Sequence, residues 1–179
     1  MYKLLVVSFL ILFVPFSFAQ TPPAPTPAPQ EPEQSQTATN STLDNLMWLV
    51  GTWQGKETQQ GKEFQTTFTA QAALDQQALT IERTSSGGYK ELMVISYDKS
   101  SKKTVATLFT NLNNTGIFVA DSISNNSVNF SQVTSAEGFK SQRIFEQTGD
   151  GQFKFTIKGA NPGQELSTLA EAQYTKSGQ

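Results

Sequence analysis

The chain has 179 residues, 13 Lys and Arg against 15 Asp and Glu, a formal charge of −2, and neither histidine nor cysteine. That balance offers nucleic acid no basic field. It also removes disulfides, thiolate chemistry, imidazole bases and the commonest metal ligand in one step. A chain without cross-links has to be held by its hydrophobic core alone.

The N-terminus reads as an export signal. Lys3 is a short positive region, residues 4–16 are apolar, and Ser17-Phe18-Ala19 is a small-x-small cleavage site. The apolar run, about 13 residues, falls short of the roughly 20 that a membrane span needs. Residues 1–19 are therefore expected to be a cleaved signal, which makes the protein secreted or periplasmic with no stable span afterwards. An uncleaved anchor is the alternative. Residues 20–42, rich in Pro, Ala and Gln, bury too little to order themselves and are expected to form a disordered, extended linker.

The domain expected over residues 43–177 is organised around Met47-Trp48-Leu49-Val50-Gly51-Thr52-Trp53-Gln54-Gly55. Ser41-Thr42 is a plausible N-cap for a short helix over 43–49, which Gly51 ends. From there turn signals recur at the spacing of an all-β sandwich or barrel. They include Gln60-Gly61, Asp75-Gln76, Gly87-Gly88, Asn113-Asn114, Asn125-Asn126, Gly149-Asp150-Gly151 and Pro162-Gly163. The turns divide the chain into about ten strands. Phe64, Thr66, Phe68, Ala70 and Ala72 share one face, as do Phe139, Ser141, Arg143 and Phe145, and Phe153, Phe155 and Ile157. Residues 92–95 and 117–120 are apolar on both faces, which predicts strands covered twice. The fold class is all-β: an antiparallel meander closed into a barrel, which removes exposed edges, with a short helix at one end. Such a barrel has room for a cavity, although a flattened, packed one fits the same residues.

The Leu-Val-Gly-Thr-Trp-x-Gly stretch at 49–55 resembles the opening of the DUF1579 family, a domain of unknown function. The resemblance continues through Tyr97-Asp98, the 139–155 hairpin and Glu171-Ala172-Gln173-Tyr174. Gly51-x-Trp53 also looks like the first strand of lipocalins. The wider resemblance is to calycin-type barrels, which include fatty-acid-binding proteins and haem-binding nitrobindins. Two departures matter. Only Gln59-Gln60-Gly61 stands where fatty-acid-binding proteins place a helical lid. Histidine-ligated haem, which the nitrobindin resemblance would imply, is excluded because the chain has no histidine. The DUF1579 resemblance implies no activity.

Only two arginines exist, Arg83 and Arg143, each in phase with apolar neighbours. An inward arginine must be paired or stacked. One reading makes them a lumenal clamp for an anionic head group, with Tyr97 as a third ligand-binding candidate. A second stacks one arginine, Arg143 above all, on Trp53 to close the barrel base. A third pairs Arg83 with a carboxylate on an outer face. Trp48, Gly51 and Trp53 are expected to close the barrel, Trp53 as core and Trp48 as a plug.

No nucleophile elbow, phosphate loop or metal-ligand spacing is present, so no catalytic residue, metal or cofactor is assigned. Glu82, Glu146 and Glu171 could serve an isomerase-like Tyr/Glu/Arg site, but strand-face carboxylates are commonly solvated. A buried Glu with a raised pKa beside a Tyr would favour that reading. The leading expectation is a non-catalytic barrel binding a small apolar or anionic amphipathic ligand. Its rivals are a packed extracellular interaction domain and the isomerase-like enzyme.

Overall fold

The computed structural model describes residues 41–133 and 138–178. The export signal at 1–19 and nearly all of the 20–42 linker lie outside the described residues. The described residues begin with α1, Ser41–Asp44, and a single 3-10 turn, Met47–Leu49. The expected helix over 43–49 is thus split in two and starts inside the segment read as linker. Leu43, Leu46 and Leu49 are all buried, so both short turns seal an apolar face.

Ten strands follow: β1 Gly51–Gln59, β2 Lys62–Ala73, β3 Ala78–Ser85, β4 Lys90–Asp98 and β5 Lys103–Thr110, then β6 Thr115–Ile123, β7 Ser127–Gln132, β8 Lys140–Gly149, β9 Gln152–Ala160 and β10 Ser167–Lys176. Each pairs antiparallel with its sequence neighbour, and β1 pairs with β10 to close the barrel. Every strand is therefore paired on both sides, and no edge is left. Register shifts mark β6, β8 and β10, where single-residue irregularities bend the wall.

The turns fall where Gly, Asn and Asp fall. Asp98 holds the β4–β5 turn by accepting hydrogen bonds from the backbone and side chains of Ser100 and Ser101. Those bonds bring its carboxyl down to about 2.

Strand alternation divides the lumen into two halves. The half nearest the N-terminal turns is filled by aromatic rings. Phe153 stands edge-on to Trp53 at 4.9 Å and stacks on Tyr174 at 4.8 Å, with Phe68 at 5.0 Å. Phe145 stacks on Phe155 at 4.7 Å. These contacts add specific geometry to large buried areas. Gly55 makes the packing possible, because a Cβ there would stand 2.2 Å from the Gln173 carbonyl oxygen and 2.8 Å from the Tyr174 ring.

The base closes differently from the arginine stack expected of it. Gly51 has φ +136°, a conformation that favours glycine, and a Cβ there would meet the Lys176 side chain. Lys176 Nζ lies 5.2 Å from the Trp53 ring, and Trp53 Nε1 donates to the Leu49 carbonyl at 2.8 Å. Neither arginine reaches Trp53: a lysine at the end of β10, brought opposite β1 by barrel closure, takes that place. Trp48, half-buried, sits edge-on to Phe153 at 6.0 Å.

The second departure is on the outside. Leu92, Phe109 and Ile117 face outward from β4, β5 and β6 with 36%, 45% and 45% exposure. The apolar runs at 92–95 and 117–120 are therefore covered on their inner side only.

Candidate functional site

The other half of the lumen holds charges. Glu57 on β1 keeps the parity of Trp53, Arg83 on β3 that of Leu79 and Ile81, and Glu91 on β4 that of Met93 and Ile95. Arg143 on β8 keeps the parity of Phe145. All four point inward and are buried.

Arg83 uses its full fork. Nε donates to Glu91 Oε1 at 2.9 Å, Nη2 to Glu91 Oε2 at 3.1 Å, and Nη1 to Glu57 Oε2. Its guanidinium also lies 5.1 Å from the Tyr89 ring and 5.2 Å from that of Phe155. Arg143 Nη1 donates to both Glu91 oxygens, at 3.3 and 3.2 Å, and its guanidinium stands 5.5 Å from the Phe118 ring. The Tyr89 hydroxyl adds a bond to Glu91 Oε2 at 2.9 Å. Two positive and two negative groups thus cancel in formal charge, as a buried cluster requires.

The two carboxylates are treated unequally. Burial alone would push Glu91 up, but Arg143 and Arg83, with hydrogen bonds from Arg83 and Tyr89, bring it down to about 2. Glu57 has Arg83 as its one hydrogen-bonded partner among the described residues, and burial pushes its carboxyl above the usual range. Burial, reinforced by Glu91, likewise raises the Tyr89 phenol.

The cluster floors an open mouth. One cavity of about 230 Å³ is bordered by Glu57, Arg83, Tyr89, Phe139, Ser141 and Arg143, among others. A second, of about 300 Å³, shares Tyr89, Phe139, Ser141 and Arg143 and runs over Phe118 and Gln132. Within this mouth the Arg143 Nε–H is buried without a hydrogen-bond partner among the described residues. An orphaned, charged donor costs more than a neutral one and calls for an acceptor.

The structure brings Arg83 and Arg143 together and leaves Tyr97 out. Tyr97 shares Glu91's face of β4 but lies six residues on, about 20 Å away at strand rise. Tyr89, at the entry to β4, stands where Tyr97 was expected. Arg83 does pair with carboxylates, but inside the barrel rather than on an outer face. Glu82 and Glu146 are exposed, and Glu171 pairs outside with Lys154 at 2.7 Å. Glu57 and Glu91, which the sequence reading passed over, are the lumenal carboxylates. For Glu57 its parity with Trp53 was the available signal; for Glu91 parity gave none, because β4 is apolar on both faces.

The arrangement can hold an anion or an acceptor oxygen at Arg143 beside apolar rings. Its raised carboxyl, Glu57, borders the same cavity as Tyr89, the pairing that the isomerase-like reading calls for, but the Tyr89 hydroxyl donates to Glu91 and not to Glu57. Among the described residues no cluster of carboxylates is placed to hold a metal.

No family model matches the chain, and no curated protein matches it. Among solved structures it is similar to Rv2717c from M. tuberculosis, with 15% identity, 76% of this chain and 98% of that chain covered, and a TM-score of 0.58. That likeness shows a shared fold, a closed antiparallel barrel, and nothing further. A DUF3598-family protein of unknown function from Nostoc punctiforme aligns over 76% of this chain and 99% of its own at 7% identity; its TM-score of 0.27 carries no argument.

Proposed function

We propose that this barrel is an exported, non-catalytic binding protein that takes a small anionic amphipathic molecule at its open mouth. Its head group sits at Arg143 and its apolar part lies against Phe139 and Phe118. The observation that carries the reading is Arg143 itself, a buried guanidinium bordering both mouth cavities with an Nε–H that has no acceptor among the described residues. Arginine suits carboxylate and phosphate oxygens. The packed aromatic half restricts the ligand to the mouth, so it is shorter than a full-length lumen would hold. The export signal and the resemblance to DUF1579 domains belong to the same proposal.

Calorimetric titration with decanoate tests it. Binding to the wild-type chain should weaken at least tenfold in Arg143→Gln, a loss of about 1.4 kcal/mol. In that variant the Arg83 fork and Tyr89 still hold Glu91. Ser141→Trp, which fills the mouth from a half-buried wall position, should abolish binding and leave the fold intact. Equal affinity in all three chains would sink the assignment.

One observation favours a second reading, an interaction domain. The outward Leu92, Phe109 and Ile117 form an apolar face, and an exposed patch of this kind marks a contact surface. Concentration-independent monomeric behaviour, with no gain in solubility in Phe109→Ser, would remove its support.

A further inference from the structure

We propose that the mouth takes up its anion together with a proton, which lodges on Glu57. The inference rests on the binding reading above and deepens it.

The geometry requires a charge response. Glu57, Arg83 and Arg143 border the same cavity of about 230 Å³. With Glu57 and Glu91 ionised, the buried cluster is already balanced. A ligand anion at Arg143 therefore adds a third negative charge beside two buried carboxylates. Uncompensated, that costs far more than the same charge at the surface. One of the carboxylates has to give up its charge, and their surroundings decide which.

Glu91 accepts five hydrogen bonds, from Arg83, Arg143 and Tyr89. Protonating it would set charged donors against a neutral acid. Glu57 accepts through Oε2 alone; among the described residues its Oε1 has no hydrogen-bond partner. The charged and titratable groups facing it are Arg83 from β3, Tyr89 and Glu91 at β4, Arg143 from β8 and Tyr174 from β10. From β9, Ile157 borders the same cavity. Of these neighbours, Arg83 opposes protonation most, Arg143 less, and Glu91 favours it; burial favours it more than any of them. An incoming anion adds to the favouring side and screens Arg143.

The chemistry is one proton transfer. A solvent hydronium or buffer acid gives up its proton, an O–H bond forms at Glu57 Oε1, and no other bond changes. The site then holds the ligand anion, neutral Glu57, ionised Glu91 and two arginines, and balance is restored. In effect the barrel binds the neutral acid as separated parts, so its affinity rises as pH falls.

Decanoate titrations of the full chain in MOPS and in imidazole, between about pH 6 and pH 8, measure this directly. These buffers release very different heats on giving up a proton, so proton uptake appears as a heat difference. The expected result is an uptake approaching one proton per decanoate in the wild type and none in Glu57→Gln, which still binds. Zero uptake throughout that range, or undiminished uptake in Glu57→Gln, overturns the coupling while leaving the binding site standing. Absence of any decanoate binding to the wild type overturns both. Should Glu57→Gln fail to fold, carbonyl carbon shifts of Glu57 in the wild type serve instead. They should move toward the protonated value as decanoate is added, and a stationary shift contradicts the proposal.

Discussion

Arg83 and Glu91 meet as a two-pronged pair inside the barrel, Nε to Oε1 at 2.9 Å and Nη2 to Oε2 at 3.1 Å, both side chains almost wholly shielded from water. Breaking such a pair by removing one partner leaves an uncompensated buried charge, at a cost of about 3–5 kcal/mol. Replacing both with apolar residues of similar volume costs less. Because Glu57 and Arg143 stay behind in the double replacement, urea denaturation should show Arg83→Leu with Glu91→Leu losing clearly less than the sum of the two single losses. Additive losses would mean that the pair is not energetically coupled.

Acid should expose the same pair. The folded value of Glu91, about 2, lies below its ordinary 4.5. Its contribution is present above about pH 4.5 and lost as pH falls toward 2, for a total of about 3 kcal/mol. Glu57 works with the opposite sign. Its folded value is raised, so its contribution is full below the ordinary value and lost as pH rises through the folded one. Stability measured against pH should fall on both sides of a maximum in the wild type. In Glu57→Gln the acid limb should remain and the fall attributable to Glu57 at higher pH should vanish.

At the base, the tryptophan environment should respond to a lysine and not to an arginine. Lys176→Met removes the cation over Trp53 and should shift the emission of that buried indole with a stability loss of about 1 kcal/mol. Arg143→Gln, at the far side of the aromatic layer, should leave the emission maximum unchanged. The reverse pattern would put the arginine at the base after all.

Much of the fold was legible because the outline of a barrel is local. Gly, Asn and Asp mark the turns, and strict alternation marks β2, β8 and β9, where one face is apolar and the other polar. The site was half legible for the same reason. Arg83 and Arg143 stand out as charges in phase with apolar rows. Glu91 does not, because Leu92 and Val94 make the outer face of β4 apolar too, and alternation no longer tells inside from outside. The choice between Tyr89 and Tyr97, and between Arg143 and Lys176 at Trp53, depends on which strand end meets which. Barrel closure between β1 and β10 settles that, and it is not written in any local stretch.

Gly55 should be the least replaceable of the wall glycines. Its Cβ would collide with the Gln173 backbone at 2.2 Å, and backbone cannot step aside as a flexible side chain can. Gly55→Ala should lose about 3 kcal/mol or more, or fail to fold. Gly149→Ala, whose nearest neighbour would be the Gln152 side chain at 4.0 Å, is the matched control and should stay close to wild type in melting temperature.

The central claim, that the mouth binds an anion at Arg143, is tested most directly by the arginine Nε–H region of a proton–nitrogen NMR spectrum. The chain holds only two arginines, so two resonances report the whole site. On adding decanoate the Arg143 signal should shift markedly as its unpartnered Nε–H gains an acceptor, while Arg83, already bonded to Glu91, moves little. Two stationary signals at saturating decanoate, with the protein folded, would contradict the claim.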